Sequence, residues 1–358
     1  MLAEHQGYLS PEKAKALEEQ VARTQQDLER IRAADPDWRA EVDTAIEAFN
    51  RSDIDRAKAA FARIDALIAK RRTELSAQER ELRLEEARSK HAQATLFYPF
   101  EASRSGPLLT QAAELAETNI WYWIACGQAR IETGNLGGAG AAFVTARDLA
   151  ATSGEERDRA VALAYLGDVR VAQGALPAAL EAYEESLSIC RDLAARDPGN
   201  AGWARDVSVG LDRVGDVRVA QGALPAALEA YEESLSIRRD LAARDPGNAG
   251  WARDVSVSLN KVGDVRVAQG ALPAALQAYE ESLQIARDLA ARDPGNAGWA
   301  RDVWVSLWRM AGIDTDNATK YWEEVIARME DMAARSILLP TDAPYLEAAR
   351  KNLEASRQ

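Results

Sequence analysis

The chain has 358 residues, 47% of them apolar and 6% aromatic, with a formal net charge of −13. Abundant Ala, Leu, Glu and Arg with few β-branched runs favour helix over strand, and the acidic balance excludes a nucleic-acid surface, which needs a concentrated basic face. Two cysteines without paired spacing, Cys126 and Cys190, exclude a disulfide framework or zinc pattern and fit a reducing cytoplasm; there is neither a leader with an apolar stretch nor the run of ~18 apolar residues a membrane span needs.

The opening Met1–Gly7 leads at once towards helix, a start that also fits a segment cut from a longer protein. Ser10-Pro11-Glu12-Lys13 reads as an N-cap with proline in the first turn, so a helix is predicted as far as Ala34, before Asp35-Pro36. Its stripe of Leu17, Val21, Leu28 and Ile31 either caps the first helix pair or forms a stalk for another chain or an absent domain. The charged run Lys70–Lys90 reads as a solvated helix face.

Self-similarity then dominates. The stretch beginning at Leu166 returns at Val214 and Val262, a period of 48 residues. Between the first two copies only Leu166/Val214, Cys190/Arg238, Gly210/Ser258, Asp212/Asn260 and Arg213/Lys261 differ. Within one copy, Val207, Leu211, Val214 and Val217 recur at helical spacing, and Gly222 ends that helix. Pro225 opens a second helix, whose stripe runs through Leu228, Tyr231 and Leu235 until the Asp245-Pro246-Gly247-Asn248 turn. Two such helices cannot bury their apolar faces alone and must stack on the next pair.

These residues resemble the tetratricopeptide repeat: Val262-Gly263, Gly270, Ala275, Tyr279 and Ser282 follow its spacing, as do Trp123, Cys126-Gly127, Gly134, Ala139, Phe143 and Ala146. The helix running on to Arg244 before Pro246 is similar to the long kinesin-light-chain-like and bacterial variants. Arg170, Arg218 and Arg266 replace the usual tyrosine of the first helix. The register mark falls at Ala45, Gln93, Gly127, Gly167, Gly215, Gly263 and Ala311, which predicts an all-α solenoid of about seven helix pairs. Its parts are an N-terminal helix or cap (1–37), degenerate pairs (38–118), a regular solenoid (119–310), and a shortened last pair with a capping helix over Asp342–Ser356 (311–358).

No constellation for catalysis or cofactor binding emerges. Gly134–Gly140 lacks the Lys-Ser/Thr ending of a phosphate loop and no strand precedes it. His5 and His91 belong to no metal or triad pattern, and the repeated carboxylates such as Glu184-Glu185 lie in identical settings where an active site needs unlike ones. Cys126 is expected in the core. Cys190, aligned with Arg238 and Ala286, is expected to be exposed.

The resemblance implies a non-catalytic scaffold that binds a protein or peptide along the first helices. The face carried over is Val161, Ala164 and Asp168; Val209, Asp212 and Asp216; Val257, Asn260 and Asp264; and Val305 and Trp308. Asp168, Asp216 and Asp264 form a ladder that either receives a basic segment or is neutralised by Arg213 and Lys261. Trp304 and Trp308, four residues apart, either anchor a partner or lie under the closing helix. Trp203, Trp251 and Trp299 are expected to wedge successive helices. A regulatory arm of a larger bacterial signalling or defence protein, and a self-assembling structural protein, remain as alternatives.

Overall fold

The computed structural model describes residues 11–51, 53–74, 79–97 and 102–357; Ser10, His5 and part of the Lys70–Lys90 run lie outside them. The chain divides into two compact units, 1–182 and 183–358. All regular structure among the described residues is helical.

In the first unit, α1 (Pro11–Ala34) is followed by a 3-10 turn (Pro36–Trp38), then α2 (Arg39–Asn50) and α3 (Ile54–Glu74), α4 (Glu79–Phe97) and α5 (Ala102–Leu115), α6 (Ile120–Glu132) and α7 (Leu136–Ser153), and α8 (Glu156–Ala172). Helices α2 to α8 each pack on the next in sequence. The exception is α1, which packs on α2 and also reaches α4. Its Leu28 and Ile31 are fully buried among Val42, Phe61 and Leu96, so the stripe is a cap. The charged run is not uniformly solvated: Glu85 and Ser89 are buried, and Lys90 pairs with Asp65 at 3.0 Å.

Helix α9 (Leu176–Arg196) carries the chain into the second unit, built of α10 (Ala201–Ala220) and α11 (Leu224–Arg244), α12 (Ala249–Ala268) and α13 (Leu272–Arg292), α14 (Ala297–Ala311) and α15 (Ala318–Ala334), and the closing α16 (Ala343–Ser356). Neighbours again pack in order from α10 to α16. Asn200, Asn248 and Asn296 cap α10, α12 and α14, each accepting the N–H of the tryptophan three residues on. Those tryptophans, Trp203, Trp251 and Trp299, are half-buried.

Within the pairs α10/α11 and α12/α13 the two helices approach at a glycine. A Cβ on Gly215 would stand 2.5 Å from the Tyr231 ring, and one on Gly263 would stand 2.3 Å from Tyr279, so only glycine lets the tyrosine lie flat on the first helix. The turn glycines Gly222 and Gly270 take φ of 76° and 77°, a left-handed conformation costly for other residues. The arginines that replace the repeat's tyrosine also have a structural role. Arg218 and Arg266 donate to the Ala226 and Ala274 carbonyls, both at 3.2 Å, and pair with Glu184 and Glu232 of the preceding pair.

The position shared by Cys190, Arg238 and Ala286 corrects an expectation. All three are buried, because this turn of the second helix faces the first helices. Arg238 is accommodated by donating to Asp212 (2.7 Å), Ser258 (2.7 Å), Ser208 and the Asp254 carbonyl. Three of the five differences between repeat copies, Cys190/Arg238, Gly210/Ser258 and Asp212/Asn260, therefore meet at one buried contact.

Candidate functional site

In the second unit the aspartate rungs are engaged internally. Asp216 accepts from the Tyr231 hydroxyl of its own pair and from Lys261 of the next pair. Asp264 accepts from Tyr279 at 2.7 Å and from both Nε and Nη2 of Arg309 at 2.8 and 3.0 Å. Burial, and after it the bond to the carboxylate, holds both phenols above their ordinary range. Asp168, in the first unit, is half-buried on α8.

Asp212 and Asn260 do not line the first-helix face as the spacing suggested; they are buried. Their positions lie off the assigned face by about 100°, one residue of helix, and Asp212 pairs with Arg238 of the second helix. Burial pushes the Asp212 carboxyl up, and the Arg238 guanidinium offsets part of that rise.

Trp304 and Trp308 form a cluster with the closing helix. Trp304 is 3% exposed, stands 5.8 Å from the Tyr345 ring, and keeps its Nε1 buried without a hydrogen-bond partner. Trp308 meets Trp322 edge-on at 4.7 Å and Tyr345 at 5.6 Å. Tyr345 itself is 46% exposed. Between the rings of Trp304, Trp308 and Tyr345 and the side chains of Val305, Arg301 and Arg309 lies an open pocket of about 220 Å³. The closing helix thus covers one tryptophan and extends the aromatic surface around the other.

A second site lies in the first unit and was missed in the sequence. Helix α1 crosses the first-helix side of α4 and α6: Thr24 meets Thr95 at 2.9 Å, Tyr122 donates to Asp27 at 2.8 Å, and Arg23 sits 3.3 Å above the Trp121 ring. Trp121 Nε1 in turn donates to Asp158 at 2.9 Å. His91 stacks on Tyr122 at 4.6 Å, with its Nδ1 buried, unpartnered and 3.7 Å from Asp27. Arg23, Asp27, His91, Trp121, Tyr122 and Asp158 line a cavity of about 370 Å³, within the size range of small-ligand sites. Burial lowers the His91 imidazole to about 4 and raises Asp27 above the usual carboxylate range. Behind them, burial raises Glu85 to about 7 although Arg88 pairs with it. One sequence signal existed: Thr24 occupies a buried stripe position between Val21 and Leu28.

Among the described residues no group of three or more His, Cys, Asp or Glu side chains is placed to hold a metal ion, and no helix is long and apolar enough to cross a membrane. No protein-family model and no curated protein matches the sequence. Among solved structures, the apo form of RapI aligns over 89% of this chain and 86% of its own, at 10% identity and a TM-score of 0.56. BtubC (BKLC) from P. vanneervenii aligns over 68% of this chain and 92% of its own, at 16% identity and a TM-score of 0.51. The nearly identical TPR-like repeats of a kinesin light chain from Podosopora anserina align over 57% and 96%, at 17% identity and a TM-score of 0.46. With the helix pairs, the turn glycines and the glycine–tyrosine contacts described above, the first two likenesses give the fold: an all-α solenoid of tetratricopeptide-type helix pairs.

Proposed function

We propose that the chain is a non-catalytic protein-recognition module whose partner is anchored at the aromatic pocket of the second unit. The observation that carries this reading is the pocket of Trp304, Trp308 and Tyr345, which combines an exposed ring with a buried indole N–H lacking an acceptor. Aromatic anchors of this kind dominate interface energetics, and a buried donor left unmade is costly. A segment that places an apolar side chain between the rings and an acceptor near Trp304 answers both needs. The Asp216 and Asp264 rungs, already bonded to Lys261 and Arg309, offer little to a basic segment.

The test is capture of partner proteins from the source cells, quantified for wild type, Trp308→Ala, Tyr345→Ala and the Asp216→Asn/Asp264→Asn pair, with helical circular dichroism as the folding control. The reading expects a set of proteins lost with both aromatic variants and retained by the aspartate pair. Equal capture by wild type and Tyr345→Ala would contradict it. The regulatory-arm alternative keeps the same pocket. The closing helix is tied to the last pair by Arg301–Asp342, Arg350–Glu330 and Arg357–Glu323, which disfavours end-to-end self-assembly through the face it covers.

A further inference from the structure

The cavity beneath α1 has a floor with two polar groups left open, the Asp27 carboxylate and the His91 Nδ1. Asp27 receives one good hydrogen bond, from Tyr122, and its remaining neighbours stand off: His91 Nδ1 at 3.7 Å and Arg30 at 3.8 Å. Both separations exceed hydrogen-bonding distance. His91 is 4% exposed, and its Nδ1 has no partner, although buried polar atoms in proteins are nearly always bonded. A donor cation placed beside Asp27 and His91 would satisfy the carboxylate and, with the imidazole proton on Nε2, the Nδ1 lone pair as well.

The cation side of the same carboxylate is equally open, because Arg30 lies at the cavity rim with its guanidinium unclosed on Asp27, and Arg157 lines the rim too. A group that is negative a few ångströms from its positive centre fits this arrangement, because its anionic end reaches Arg30 at the rim, to which a simple amine offers nothing. Trp121, Tyr122 and Tyr165 supply aromatic wall, and Gln20, Gln26 and Gln128 supply amides.

We propose that this cavity is a binding site for a free α-amino acid, its ammonium seated between Asp27 and His91 and its carboxylate facing Arg30. The site is distinct from the aromatic pocket of the second unit and does not depend on it. Because α1 forms one wall, the bound ligand would clamp α1 against α4 and α6.

The experiment is titration calorimetry of the full chain with each of the common L-amino acids singly, with the N-acetyl and the decarboxylated forms of any that binds, and with the variants Asp27→Asn and Arg30→Gln. One or a few amino acids are expected to bind one-to-one. N-acetylation is expected to abolish binding, and both Asp27→Asn and loss of the ligand carboxylate to weaken it at least tenfold. Asn at 27 still accepts from Tyr122, and should Asp27→Asn nevertheless unfold, the exposed Arg30→Gln, expected to weaken binding with an unchanged melting temperature, carries the test. Absence of binding by every amino acid at millimolar concentration, or binding that survives N-acetylation or both substitutions, would overturn the proposal.

Discussion

In residues 183–358 the same contacts return at each repeat. Arg205–Asp254 is followed by Arg253–Asp302, Arg191–Glu233 by Arg239–Glu281, and Lys261–Asp216 by Arg309–Asp264. In residues 1–182 the polar contacts are singular: a histidine stacked on a tyrosine, a buried aspartate carried by a helix from outside the repeat, and a glutamate displaced to about 7. Repetition gives every copy one environment and closes its charges against the next copy. Unlike environments, which ligand chemistry needs, arise where the repeat degenerates. Within the repeated part of the second unit, the departure at Arg238 with Asp212 and Ser258 is internally compensated.

The largest expected effect sharpens that last point. Arg238→Ala leaves Asp212 buried without its cation and is expected to cost about 3–5 kcal/mol, the usual penalty for breaking a buried pair. Adding Asp212→Asn reproduces the Asn260/Ala286 solution of the next pair and should recover most of the loss in denaturant unfolding. If the double variant is no more stable than the single one, the three differences are not one compensated set.

Next in size is the pH response of the first unit. His91, lowered to about 4 from 6.5, holds fewer protons folded than unfolded, so its contribution is complete above pH 6.5 and is lost as pH falls towards 4. That loss is on the order of 3 kcal/mol. Glu85, raised from 4.5 to about 7, works in the opposite sense, its contribution being lost as pH rises from 4.5 to 7. The two largely cancel in the wild type. Glu85→Gln should therefore show stability rising with pH between 4 and 6.5, and His91→Phe stability falling between 4.5 and 7; parallel profiles in the two variants would contradict the assignment.

Smaller effects fall in the repeated region. Gly263→Ala drives a methyl into the Tyr279 ring and should cost about 1–3 kcal/mol, as overpacking does, which a melting series would show. Arg239→Gln removes one rung of an exposed ion-pair ladder and should cost under about 1 kcal/mol, vanishing in high salt. A larger, salt-independent loss would mean that the ladder has a structural role beyond surface pairing.

Much of this was legible in the sequence. The seven pairs, the capping helix and the positions of Gly222 and Pro225 follow from a register mark that recurs at 34, 40 or 48 residues and from turn chemistry. The inward turn of Asp212, Asn260 and Cys190 was not, because a helix face assigned by four-residue spacing tolerates an error of one position, and one position separates surface from core. The cavity was illegible for a different reason. Asp27, His91 and Tyr122 come from three helices far apart in the chain, and only the crossing of α1 over α4 and α6 brings them together.

The central claim, that the second unit is modular down to its compensated contact, can be tested with two deletions of 48 residues each. Removing 212–259 joins Leu211 to Asn260 and discards Asp212, Arg238 and Ser258 together; removing 214–261 joins Arg213 to Val262 and leaves Asp212 opposite Ala286. The products differ only in Asp212-Arg213 against Asn260-Lys261. Both are expected to be soluble and helical, since near-identical neighbours re-form the interface, with the first product more stable by about 1–3 kcal/mol, the penalty for a buried polar group left unpaired. Denaturant unfolding of the pair followed by circular dichroism reads this directly, and equal stabilities, or aggregation of the 212–259 deletion, would contradict the account.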